Sequence, residues 1–361
     1  MNAVAAVSFV AAVSAAGAVV YLYLRHAILT VLVLCLPVLS TVFWTMYPDA
    51  AIRDLIFAAA AFGAAFLFFV AERMSRAVCD GLAPRMAMGA AVKSVALAAG
   101  LALSALLAPT LAIGGIQGLR ALEPALPCLI LEGSWIGVAL CLAVFSPYTE
   151  EFVAAANRAR EARQTLAMRL RVLSETRWAL SIAGTALVLA AIGVFRLRDV
   201  RLVAHAALGA GVAGISIVVA AMTLLRDWRL VAGTGLSLGL AGLWLMAFAK
   251  TGLAVYGLSS ALVALPMLIL GRRWSNTLRG GSGPAEALVQ ILMHDAPGVI
   301  GCALFVFMLG LGWNAAAMQS VALPLAGAWI ALGLFVFIAV GAGLHALLPR
   351  YRSVEEVFGK K

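Results

Sequence analysis

Stretches of about twenty apolar residues recur along this chain with little polar sequence between them, and no other property restricts its fold as strongly. A helix needs about 20 such residues to cross a hydrocarbon core of about 30 Å. Eleven candidate spans can be placed, near residues 3–24, 27–47, 52–71, 87–109, 126–147, 178–196, 203–225, 229–250, 252–271, 297–314 and 320–347. A soluble globule could not bury them. Only 12% of the 361 residues are charged and 64% are hydrophobic, whereas soluble domains carry about 25% charged residues. With a mean hydropathy of +1.04, the surplus apolar surface must face lipid. The expectation is an all-α polytopic membrane protein of about eleven transmembrane helices, with membrane lipids as its first partners.

The net charge of +10 does not point to nucleic acid, because Arg and Lys are spread over many loops rather than gathered on one face. The positive-inside rule accounts for them. With the spans threaded alternately and the N-terminus outside, twenty of the 26 Lys and Arg residues fall on one side and six on the other. The rich side includes Arg25, Arg73, Arg76, Arg85, the block from Arg158 to Arg177, Arg272, Arg273 and Arg279. That distribution places the C-terminus in the cytoplasm and the protein in a cell membrane, read as a bacterial inner membrane. The first span is kept as a helix rather than a cleaved signal, since no positive charge precedes it and Arg25-His26 follow it. The five cysteines suggest neither a disulfide framework nor a metal spacing.

Landmarks recur at a nearly constant offset. Arg25 in Tyr23-Leu24-Arg25-His26 matches Arg226 in Leu224-Leu225-Arg226-Asp227. Ala83-Pro84 matches Gly283-Pro284, and the exit Phe145-Ser146-Pro147-Tyr148 matches Leu347-Leu348-Pro349-Arg350-Tyr351. These offsets are 201, 200 and 202 residues. Six spans lie within one offset, an even number, so the two copies cross the membrane in the same sense, as parallel repeats do. The resulting organisation is a first five-helix repeat over 1–148, a cytoplasmic linker over 149–177, an unpaired helix plus second five-helix repeat over 178–349, and a cytoplasmic tail over 350–361. In the linker, Phe152, Ala155, Ala159, Ala162, Leu166, Leu170 and Leu173 recur at steps of three and four, with Arg158, Glu161 and Arg169 outside that stripe. This pattern predicts an amphipathic helix on the membrane surface.

Two parallel repeats, a surface helix between them and a lone helix from Arg177-Trp178 to Phe195-Arg196 resemble the membrane domain of the resistance-nodulation-division superfamily. The mycobacterial-membrane-protein-large and hopanoid-exporter branch is the most similar. The likeness is greatest from Leu224-Leu225-Arg226-Asp227-Trp228-Arg229-Leu230 through Gly283-Pro284-Ala285-Glu286-Ala287-Leu288 to Leu347-Leu348-Pro349. It implies export of lipid-like cargo. Members of that family carry a large periplasmic domain after the first helix of each half, where this chain has only Arg196 to Arg201. They also begin with a helix that has no counterpart here, and they relay protons through acidic residues in mid-membrane. The matching segments, Ala58-Ala59-Ala60-Ala61-Phe62-Gly63-Ala64-Ala65 and Ser259-Ser260-Ala261-Leu262-Val263-Ala264-Leu265-Pro266, contain none. The family's proton coupling is therefore not implied, and a separate protein partner would have to supply the periplasmic function.

A charge in the bilayer is costly and is a functional candidate by default. Glu132 lies well inside span five, about 9 Å from the outer boundary, as a pathway residue or as a hydrogen-bonded interior carboxyl. Lys93 lies about 10 Å from the cytoplasmic boundary, too far in depth to pair with Glu132, and is expected to snorkel outward. His294-Asp295 reads as a proton entry point or, more simply, as a cap of span ten. Gly235 and Gly239 form a GxxxG in span eight and Gly211 and Gly214 crowd span seven, where small residues let helices approach closely. No cofactor, metal or catalytic cluster is expected. The function expected is an inner-membrane transporter that exports or flips a hydrophobic or lipid-like substrate. The alternatives are a non-transporting subunit that scaffolds an export or lipid-synthesis complex, and a membrane-embedded transferase.

Overall fold

The computed structural model describes residues 3–46, 50–120, 123–158, 161, 253–283, 286–287, 290–291 and 294–312. Every regular element among them is helical: α1 (Ala3–Leu24), α2 (Ala27–Met46), α3 (Ala50–Cys79), α4 (Pro84–Arg120), a 3-10 turn (Glu123–Ala125), α5 (Leu126–Val144), α6 (150–158), α7 (Leu253–Arg279) and α8 (Ala296–Gly312). Four stretches are long and apolar enough to cross a membrane: Val7–Leu24, Leu55–Cys79, Pro84–Leu103 and Leu126–Val144. The chain is a helical membrane protein. Spans six, seven, eight and eleven, with Gly211, Gly214, Gly235 and Gly239, and most of the linker predicted over 149–177 lie outside the described residues.

Helix α3 is the axle of the bundle. In its spanning stretch 89% of residues are buried, against 22% in α1 and in α5, so α3 is enclosed by protein where the other two leave most of their surface open. It packs against α2, α4, α5, α7 and α8, while α1 lies across α2 and α8, and α4 lies along α7. Its composition explains its position, since alanine combines the best helix propensity with a side chain small enough to let neighbours approach. Gly63 shows how closely they come. A Cβ there would lie 2.5 Å from Leu36 Cδ2 on α2 and 3.1 Å from Ile136 Cδ1 on α5. Further along, Phe68 stacks on Phe305 of α8 with ring centroids 6.3 Å apart and tilts against Tyr23 of α1 at 5.4 Å.

Helices α3 and α4 extend beyond the apolar stretches that mark them in sequence. Span three, expected to end at residue 71, continues as α3 to Cys79, and α4 starts at Pro84 rather than 87. Polar residues can prolong a helix past the bilayer, because its backbone bonds are satisfied internally wherever it runs. What stops α3 is Gly81, whose φ of +90° is easily reached only without a Cβ. Asp80 N–H donates to Arg76 O at 2.9 Å, Gly81 N–H to Val78 O at 3.0 Å and Leu82 N–H to Ala77 O at 3.0 Å. At the end of α7, Gly281 has φ +89°. There Gly280 N–H donates to Asn276 O at 3.0 Å and Gly281 N–H to Leu278 O at 3.2 Å.

Between α1 and α2 the chain reverses within two residues. Arg25 adopts φ +55°, unusual for a residue with a side chain. His26 then caps α2: its Nδ1 accepts Leu29 N–H at 3.4 Å and its carbonyl accepts Thr30 Oγ1–H at 2.9 Å. The other ring nitrogen, Nε2, lies 3.1 Å from Pro147 O and 3.0 Å from Ser146 Oγ. Tyr148 and Phe152 close around the ring with centroids 5.2 and 4.9 Å away. One buried histidine thus ties the turn between α1 and α2 to the exit of α5.

Candidate functional site

The last two turns of α3 carry Glu72, Arg73 and Arg76, spaced so that Glu72 and Arg76 lie on one face. That face meets Tyr23 in the final turn of α1, Arg273 on α7, and His294 and Asp295 at the start of α8. Glu72 and Asp295 are both about 5% exposed, and buried carboxylates persist only when paired and hydrogen-bonded. The partners are present. Arg76 forms an ion pair with Glu72 and donates to His294 O. Tyr23 O–H donates to Glu72 Oε1 at 3.2 Å, and Arg76 Nη2 also lies 3.2 Å from Tyr23 Oη.

Asp295 is reached from three directions: by Arg73 at 3.5 Å, Arg76 at 3.7 Å and Arg273 Nε at 3.6 Å. Its main-chain carbonyl accepts Gly298 and Val299 N–H at 3.1 and 3.2 Å. The sequence suggested that His294-Asp295 caps the helix, and the structure divides that role. The backbone of Asp295 starts α8 while its carboxylate turns to the arginines. Gly298 leaves room for this arrangement, since a Cβ there would lie 3.0 Å from Tyr23 Oη and 3.2 Å from Glu72 Oε1.

Beside this network a cavity of about 350 Å³ is lined by Tyr23, Glu72, Arg73, Arg76, Arg273 and His294, with Ser94 of α4 and with Asp80 and Asn157, both exposed. Its size falls within the range of small-molecule sites. The chemistry available there is recognition: guanidinium forks suit carboxylate or phosphate. Among the described residues no three His, Cys, Asp or Glu side chains converge as a metal ion requires.

Glu132 and Lys93, also singled out from sequence, take no part in the charged network. Glu132 is buried on α5, with Oε1 unpartnered among the described residues. Lys93 is exposed on α4 and takes part in none of the described ion pairs. Of the expected residues that are described, His294 and Asp295 lie in the charged site. Sequence reasoning missed Glu72, Arg73, Arg76, Arg273 and Tyr23. A signal was present in the i, i+4 pair Glu72 and Arg76 and in the recurrence of Arg73 and Ser75 as Arg273 and Ser275, 200 residues on.

Compared with known proteins, the chain matches no family model and no curated protein. What can be said of its function therefore rests on its own residues.

Proposed function

We propose that this protein is an inner-membrane transporter of the resistance-nodulation-division type that exports or flips a lipid-like substrate. It has about eleven spans in two parallel five-helix repeats around an unpaired helix, with the arginine-rich end in the cytoplasm. The charged cavity carries the reading. Its walls come from α1, α3 and α4 on one side of the sequence and from α7 and the start of α8 on the other, which is where a substrate would sit if the two halves move against each other. A polar chamber at the end of lipid-facing helices suits a molecule with a polar head and an apolar tail.

Several features support the repeat. Ala83 and Gly283 follow turns with the same glycine conformation, and Ala87 N–H donates to Ala83 O at 2.9 Å just as Ala287 N–H donates to Gly283 O at 2.9 Å. Helices α3 and α7 are equivalent under the offset and touch each other, as elements beside a two-fold axis do. The pairing of α4 with α7 likewise has its counterpart in α8 with α3.

In this scheme Glu132 is the candidate pathway residue of the outer half. Lys93 stands beside the cytoplasmic mouth, and membrane lipids are both solvent and source of substrate. The decisive experiment is reconstitution of the full chain in liposomes with a fluorescent phospholipid, scored for movement between leaflets with and without a proton gradient. Movement above that of empty liposomes is expected. Folded protein that leaves the lipid where it started would refute transport and favour the scaffolding alternative, which co-purification of a stable partner would support.

A further inference from the structure

We propose that the charged cavity binds the phosphate of a membrane-lipid headgroup, held by Arg73 and Arg273, with the acyl chains running along the exposed face of α4. The assignment concerns binding alone, so it stands or fails separately from transport.

The first ground is an excess of donors. Arg76 is engaged by Glu72, Tyr23 and the His294 carbonyl. Arg73 and Arg273 are not comparably served. Among the described residues Arg73 reaches Asp295 Oδ1 only at 3.5 Å. Arg273 comes no nearer than 3.6 Å to Asp295 Oδ2, an atom that accepts no hydrogen bond among the described residues. Charge-assisted hydrogen bonds run about 2.7–2.9 Å, so among the described residues neither of these two cavity-lining guanidiniums has a carboxylate at that distance. A tetrahedral phosphate offers several acceptor oxygens at once and suits two such forks better than one shared carboxylate does.

The second ground is where the cavity leads. Ala90 lines it and lies on the exposed side of α4, and Leu97, seven residues on and so on the same helical face, is 49% exposed. Lys93 is exposed between them. Helical side chains lean toward the N-terminus of their own helix, which for α4 is the arginine-rich end, so the ammonium of Lys93 snorkels toward the cavity mouth. A phosphate in the cavity thus has a third cation at its entrance and an apolar track leading away from it. A soluble phosphate ester would have no use for the track.

The test is binding to the purified full chain in detergent, by native mass spectrometry and thermal shift. The probes are phosphatidylglycerol, diacylglycerol with the same acyl chains, and inorganic phosphate. Phosphatidylglycerol is expected to bind and stabilise, and diacylglycerol to do neither. Arg273→Gln removes one charged donor and should weaken phosphatidylglycerol by about tenfold. Ala90→Trp fills the mouth from an exposed position and should block binding with every charge in place. Arg85→Gln, an exposed charge on the same side but off the cavity, should bind as the parent protein does. Equal response to diacylglycerol would overturn the proposal, as would unchanged binding in both Arg273→Gln and Ala90→Trp. Saturation by inorganic phosphate with no gain from the lipid would assign a soluble ligand instead and overturn the lipid.

Discussion

Replacing Asp295 by asparagine removes one carboxylate from among three guanidiniums and changes almost nothing in shape. In the folded protein this carboxylate is 5% exposed, while Arg73 and Arg273 are 20% and 41% exposed. Breaking a buried ion pair from one side costs about 3–5 kcal/mol, mostly because the remaining charge is left buried and unpaired. The lower end applies here. Both arginines retain some access to water, which screens them, and their contacts with Asp295 are long. Asp295→Asn should therefore lose about 3 kcal/mol, close to two orders of magnitude in the unfolding equilibrium. Unfolding in mixed detergent micelles, followed by tryptophan fluorescence, measures this. The mechanism makes a sharper demand of the double variant. Adding Arg273→Gln removes one of the charges stranded by the first change, so the pair of substitutions should cost clearly less than the sum of its parts. Strict additivity, or a single variant within about 0.5 kcal/mol of the parent, would refute the view that Asp295 holds the arginine cluster together.

Three further outcomes follow from individual contacts. Gly298→Ala pushes a methyl group against Tyr23 Oη and Glu72 Oε1 and should destabilise by about 1–3 kcal/mol; Tyr23→Phe, which removes the nearer oxygen, should recover part of the loss. Burial holds the pKa of His26 below its usual value near 6.5, only partly offset by the bond to Pro147 O. The unfolded chain therefore takes up the proton first, so the contribution of His26 is complete above about pH 6.5 and declines as the pH falls below that. A thermal-stability profile from pH 7.5 to 5 should show the decline, and His26→Gln should flatten it. Glu132→Met removes a buried oxygen that has no partner among the described residues and should stabilise the protein by about 1–3 kcal/mol. Lipid movement that persists undiminished in Glu132→Met would remove Glu132 from any pathway.

The membrane class was legible from sequence because it depends on additive apolar length, which a single strand of text records. The charged site was not, because it depends on where a helix ends rather than on where its apolar run ends. Glu72, Arg73 and Arg76 follow the last apolar residue of span three, and the positive-inside asymmetry accounts for the two arginines without any site. Only the continuation of α3 to Cys79 places them on an ordered face. His294-Asp295 drew notice as a polar pair before a span, yet nothing local reveals that its partners are Arg73 and Arg273. His26 passed as a flanking charge. Its actual neighbours, Ser146 and Pro147, belong to a span exit that was read only as a repeat landmark. Glu132 stood out because a lone acid in an apolar run needs no partner to be conspicuous.

The contact between Arg73 and Asp295 joins residues 222 apart in the chain, and this separation fixes an order of events during biosynthesis. At about 5–20 residues per second, Arg73 leaves the ribosome roughly 10–40 seconds before its counter-ion exists. For most of that interval the Cys79 end of α3 carries Arg73 and Arg76 beside Glu72, with neither α7 nor α8 made to cover the helix's alanine face. The first half of the protein must therefore wait in the membrane with its central helix only partly enclosed. Lipid, or the insertion machinery itself, has to occupy the seam that α7 and α8 later close.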